Sequence, residues 1–159
     1  LIVSTRLAEE EMVLVTKPDA RAPGVVTAAE LRRTDLILGD GLRAAMDALL
    51  SGLGIELQVD VELPDHETIR RMVQQGVGAS ILPHASVAGE CARGLVAAHR
   101  LTAHGIFRTL ALGAAANRSS SVARDAVAQM VTKLLADYED GLRLPRPRSG
   151  KGRDATRRG

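Results

Sequence analysis

The fifteen residues Ile-Arg-Arg-Met-Val-Gln-Gln-Gly-Val-Gly-Ala-Ser-Ile-Leu-Pro, Ile69 to Pro83, constrain the fold more than any other stretch. Ile69, Met72 and Val73 share one helical face, while Arg70, Arg71, Gln74 and Gln75 point away. Gly76 stands where a helix ends in a left-handed residue, a conformation that costs glycine little because it has no Cβ. Gly78 keeps the following turn tight, and Ala79 to Leu82 reads as a short buried strand. Pro83 cannot donate to a sheet ladder and ends that strand. Gly76-Val77-Gly78 is not a dinucleotide fingerprint, because the glycines follow a helix and precede a strand, with no third glycine opening a new helix.

Around this junction, strands and helices alternate. Met12 to Thr16 is an apolar run after Glu9-Glu10-Glu11, and the acids read as a solvated face. Lys17 to Gly24 is a loop broken by Pro18 and Pro23. Thr27 and Glu30 have the spacing of a capping box, predicting a short helix to about Arg33. Asp35 to Leu38 is the next strand, and Gly39-Asp40-Gly41 leaves it sharply. Leu42 to Leu53 is the clearest helix, with Leu42, Ala45, Met46, Leu49, Leu50 and Leu53 on one stripe. Leu57 to Leu63 alternates as a half-exposed strand, and Asp65 is placed to cap the helix that follows. Ala85 to about Arg93 is helical, and Leu95 to His99 and Phe107 to Leu112 are strands. Ser119 to Ser121 caps a helix to about Asp140, with Val122, Ala126, Val127, Met130, Val131, Leu134 and Leu135 on its apolar face. This order predicts parallel sheets with helices on their faces.

Composition narrows the function. Phe107 and Tyr138 are the only aromatics, too few for stacking platforms on single-stranded nucleic acid. The single Cys91 excludes an internal disulfide and suits a reducing cytoplasm. No apolar run has membrane-spanning length. The net charge of +2 hides an asymmetry. From Arg143 onward seven basic residues stand against Asp154, so the tail carries +6 and the body −4. Residues 142–159, rich in proline, glycine and arginine, are expected to be a disordered basic tail. It could touch DNA phosphates or simply solubilise the chain.

No nucleophile elbow, His-Glu-x-x-His or Walker loop is present, and His66, His84, His99 and His104 lack metal-ligand spacing. No enzymatic activity, metal or cofactor is therefore expected, although an α/β enzyme with unrecognised catalytic residues remains a distinct class.

The Ile69–Pro83 segment, the Glu-x-Val-Leu-Val strand ending at Val15, the Asp35–Leu38 strand and the Gly-Leu-Arg helix start at Gly41 together resemble the regulatory domain of LysR-type transcriptional regulators over about Ala8 to Leu135. The resemblance implies an α/β, two-lobed fold like the type-2 periplasmic binding proteins, with the second lobe nearly complete and the first partial. In that reading residues 1–16 end the first-lobe segment and form a crossover strand, and 17–82 make the second lobe. Residues 83–141 then return to the first lobe, with Thr16 and Pro83 as hinges. The chain opens at Leu1 without methionine, so an upstream winged helix-turn-helix is expected to be missing, along with the start of the first lobe. Apolar surface should be exposed on the first lobe as a result.

The function implied is sensing of a small-molecule effector between the lobes, in a cytoplasmic homo-oligomer, dimer or tetramer, with no membrane partner and with DNA bound only through the missing region. A solute-binding protein of the periplasmic type is the alternative, having the same lobes but an export signal. Three places carry the candidate effector contacts. In Gly39-Asp40-Gly41-Leu42, at a strand-to-helix turn, the backbone amides are the better contacts and Asp40 is expected to cap the helix. At Pro64-Asp65-His66, the family often has a hydroxyl residue where Pro64 stands, and His66 either supplies a donor or is a solvated first-turn residue. Thr16-Lys17 would lie at the crossover, where Lys17 either neutralises an acidic effector or is a surface lysine.

Overall fold

A computed structural model describes residues 2–18, 24–115 and 121–145. The elements in order are β1 (Ile2–Thr16), β2 (Val25–Val26), α1 (Ala28–Leu31), β3 (Leu36–Gly39), α2 (Leu42–Ser51), β4 (Val59–Leu63) and α3 (His66–Gln75). These are followed by β5 (Ser80–Pro83), α4 (His84–Ala92), β6 (Ala97–Leu101), β7 (Ile106–Ala115), α5 (Val122–Asp137) and a 3-10 turn, Glu139–Leu142.

The Ile69–Pro83 stretch folds as its residues require. Ile69 and Val73 are the buried residues of α3, and Gly76 ends the helix at φ 79, its N–H reaching the carbonyls of Met72 and Val73. At Gly78 the backbone passes so close to Ile37 that a Cβ would lie 3.0 Å from its Cδ1. The capping box at Thr27 and Glu30 forms in both directions. Of the stripe expected on the Leu42–Leu53 helix, Met46 and Leu50 are buried and Leu49 is exposed; the helix ends at Ser51, leaving Leu53 exposed in the turn beyond it.

The expectation of parallel sheets holds for only part of the molecule. β3 and β4 pair in parallel, and Leu36 bridges Ala79 in the same sense. The five-stranded sheet, in contrast, is built on β1, which runs antiparallel to β5, β6 and β7, while only β2 and β6 pair in parallel. The sequence suggested a strand of five residues there, and the structure extends it to fifteen. An irregularity between Arg6 and Ala8 bends this long strand, as an extra residue in one strand of a pair does.

This topology also moves the lobe boundary. Val13 to Thr16 of β1 lie beside β6, and Met12 to Val15 beside β5. Apolar side chains cover both faces of that region: Met12, Leu14, Leu36, Leu38, Met46, Leu50, Ile81 and Leu101 on one, Val13, Val15, Ile37, Ile69, Val73, Leu82 and Val87 on the other. One lobe therefore runs from about Met12 to Ile106. The reading of Pro83 as the start of the return is corrected: Pro83 pairs with Met12, and α4 and β6 that follow belong to the same core. Thr16, at the far end of β1, is not at the crossing either. The chain leaves the lobe along β7, which pairs with Ile2–Met12 of β1. The crossing strands are thus β1 near Glu11 and β7 near Phe107.

Beyond the crossing, α5 lies against the β1–β7 ribbon and has no buried residue. Val122 is 88 % exposed, and Val127, Met130 and Leu134 are each more than half exposed. Two readings fail at the crossing itself. The acids before the Met12–Thr16 run are not a solvated face, because Glu11 is 0 % and Glu10 4 % exposed, paired with Arg100 and Arg108. Residues 142–145 are not tail, because Leu142 is 3 % exposed and the Leu144 N–H donates to Glu11. Their apolar side chains find a packed surface that composition alone does not reveal. Residues 146–159 lie outside the described residues.

Candidate functional site

Because β3 runs parallel to β4 and bridges in parallel to Ala79, their C-terminal ends share one edge of the lobe, beside Met12 of β1. Open α/β layers bind ligands at such an edge, where the helix N-termini converge. Two strand-to-helix turns meet there. After β3, the Asp40 N–H donates to the Leu63 carbonyl at 3.1 Å, tying the first turn to the end of β4. Gly41, at φ 76, is the residue that opens α2, and no side chain caps that helix. The expected cap at Asp40 is therefore corrected: the helix starts one residue later, and the carboxylate stands exposed in the turn. Among the described residues no side chain caps the amides at this helix start, the condition that favours an anion at a helix N-terminus. Arg43 itself is engaged, its guanidinium 3.0 Å from Glu62 and 3.8 Å from Asp47.

The second turn is capped as its sequence predicts. Asp65 accepts from the N–H groups of Glu67 (3.2 Å) and Thr68 (2.9 Å), and its carboxyl pKa is lowered by the Thr68 side chain and these amides. Glu67 is likewise lowered, by hydrogen bonds from Arg70 and Arg71. Pro64, preceding the cap, offers no hydroxyl. His66 bends back over the first turn: a Cβ on Gly39 would lie 2.4 Å from its Nε2. Gly39 thus provides the space the imidazole occupies, a role the sequence does not advertise. Gly39, Asp40, Gly41, Leu42, Pro64, Asp65 and His66 form one constellation, and Pro83 ends β5 on the same edge.

Thr16 and Lys17 do not join it. Thr16 pairs with Ala97, and its Oγ1 is 3.0 Å from Nε2 of His99. Lys17 lies along the other end of α3, where a Cβ on Gly76 would come 2.9 Å from its Cδ. Ten residues of helix separate that end from Asp65, about 15 Å. The antiparallel pairing of β1 explains the error: its C-terminal end reaches the opposite edge from those of β3 and β5.

The sequence reading missed the polar cluster at the crossing. Glu11 accepts from Arg100 Nε at 2.6 Å and Nη2 at 3.2 Å, and Arg108 Nη2 lies 2.7 Å from Glu10. Acids flanking an apolar strand are the only signal of it, since the pairing arginines lie 89 and 98 positions away. Among the described residues no group of His, Cys, Asp and Glu is placed to hold a metal ion, and no helix is long and apolar enough to cross a membrane.

Solved structures with the same fold include the regulatory domain of MetR, a LysR family regulator from Neisseria meningitidis, at 21% identity and TM-score 0.72, covering 92% of this chain and 70% of that one. The effector binding domain of QuiR in complex with shikimate matches at 19% identity and TM-score 0.69, over 86% of this chain and 66% of that one. The Synechocystis PCC6803 CcmR regulatory domain in complex with 2-PG matches at 19% identity and TM-score 0.69, over 84% and 66%. The chain thus spans about two thirds of the length of these domains. No curated protein sequence matches it significantly. Residues 1–136 match the LysR substrate binding domain, which agrees with the lobe, its crossing strands and the two convergent turns, and the chain belongs to that family.

Proposed function

We propose that the chain senses a small-molecule effector at the edge formed by Gly39–Leu42 and Pro64–His66, and is not itself an enzyme. The observation that carries this is the uncapped N-terminus of α2 beside the His66 imidazole, at the strand ends of a packed lobe. That N-terminus favours a small organic anion, the chemistry of an acid such as the shikimate bound by QuiR. The effector stabilises one arrangement of the lobe relative to the β1–β7 crossing. It thereby shifts the population of a cytoplasmic homo-oligomer whose DNA-reading part is a winged helix-turn-helix outside this chain. The short, apolar Pro64 removes a hydroxyl contact, so the backbone amides of Gly41 and Leu42 make the principal bonds.

A thermal-shift screen of small organic acids tests this. A true effector at a hundred times its dissociation constant adds about 2.7 kcal/mol of stability. Gly39→Ala forces the imidazole of His66 aside and should abolish the shift, and Gly39→Ala/His66→Ala should restore part of it. The chain alone should not bind operator DNA, and sequence-specific binding at moderate salt would refute the assignment of DNA reading to another region.

A further inference from the structure

The segment that follows α5 does more than end the fold. Glu139–Leu142 and the next residues turn back from α5 across the crossing strands to the complete lobe. There the Gly141 carbonyl lies 2.8 Å from Nδ1 of His84, the first residue of α4. Leu142 is buried, and Leu144 packs against the cluster formed by Val13, Leu82 and Val87. The backbone of Leu144 is held at both ends: its N–H donates to Glu11 at 2.9 Å and its carbonyl accepts from Arg100 Nη2 at 2.9 Å. Arg143 reaches the other side of the crossing, 3.4 Å from Glu9 and over the ring of Phe107. α5 itself, by contrast, has no fully buried residue and only half-buries Ala128, Val131 and Leu135.

We propose that residues 139–144 are a latch that fastens α5 to the complete lobe across the β1–β7 crossing. A rotation of the lobe about Glu11 and Phe107 must shear the Leu144 pairings, because Glu11 belongs to the crossing strand and Arg100 to the lobe. With the latch closed, α5 and the lobe move as one body. With it open, the crossing strands are the remaining connection among the described residues, and α5 swings. The coupling is a property of the fold and does not depend on which ligand occupies the cleft, so it goes beyond the effector reading.

The test uses the 159-residue chain with Cys91→Ser and spin labels at Asp47→Cys on α2 and Lys133→Cys on α5, both exposed positions. A second labelled pair, Asp47→Cys and Arg71→Cys, lies within the lobe. The parent should give a narrow distance distribution for both pairs. Leu142→Ala should broaden the α2–α5 distribution at least twofold and leave the α2–α3 one unchanged. An unchanged α2–α5 distribution overturns the latch, and so does broadening of both pairs, which would make the segment an ordinary part of the core. Should Leu142→Ala not fold, Leu142→Val with Leu144→Pro, which deletes the N–H given to Glu11, is read in the same way.

Discussion

Glu11→Met is the substitution whose cost follows most directly from the geometry. The carboxylate is fully buried and accepts three hydrogen bonds, two from Arg100 and one from the Leu144 N–H. Removing one partner of a buried pair costs about 3–5 kcal/mol, because the other charge is left without compensation. The Arg100 side chain is 17% exposed and keeps the Leu144 carbonyl, which places its share near the lower limit, about 3 kcal/mol. The orphaned Leu144 amide adds about 1 kcal/mol, for a total of about 4 kcal/mol. Urea denaturation with linear extrapolation measures this. Glu11→Met/Arg100→Met removes both charges and should cost less than either single substitution, since a buried pair replaced by apolar side chains is often nearly neutral. Single-mutant losses below about 1 kcal/mol, or a double mutant equal to their sum, would refute the buried-pair argument.

Three further outcomes are expected. Met46→Ala should cost about 2–5 kcal/mol in the same denaturation assay, while Leu53→Ala, in the turn just past α2 and exposed, should stay within about 0.5 kcal/mol. Gly76→Ala places a side chain at φ 79 against Lys17 and should lower stability by about 1–2 kcal/mol; an unchanged denaturation midpoint would contradict the left-handed cap. The carboxyls of Asp65 and Glu67 ionise more easily folded than at their ordinary values of 3.8 and 4.5. Their contribution is therefore complete above those values and is lost as pH falls below them through the lowered folded values. Acid titration of stability should accordingly steepen below about pH 4.5 and become shallower in Asp65→Asn/Glu67→Gln.

Local chemistry is what the sequence expressed most clearly. The Gly76 cap, the capping box at Thr27 and the Asp65 cap depend on neighbours within a few positions, and each forms where its spacing predicts. The family resemblance was legible for the same reason, since its motifs are local junctions. Errors begin where partners are distant. Glu11 looks solvated because nothing near it in the chain hints at Arg100, and the Leu142–Leu144 segment reads as tail because its packing surface comes from β1, α4 and β6. Thr16 was misplaced as a hinge because strand direction decides which edge a residue reaches, and β1 runs opposite to β3 and β5; Pro83 was misplaced because α4 and β6, which follow it, pack back into the same core. The Gly39–His66 contact was likewise hidden: both residues were singled out, yet only the fold shows that one makes room for the other.

Amide NMR of the chain during titration with an organic acid found by thermal shift tests the effector site most directly. Saturable shifts should concentrate at Gly41, Leu42, Arg43, Asp65 and His66, with Thr16 and Lys17 unmoved on the opposite edge. Shifts centred on Thr16, Lys17 and His99, with none at Gly41 or Leu42, would place the effector elsewhere and contradict the proposed site.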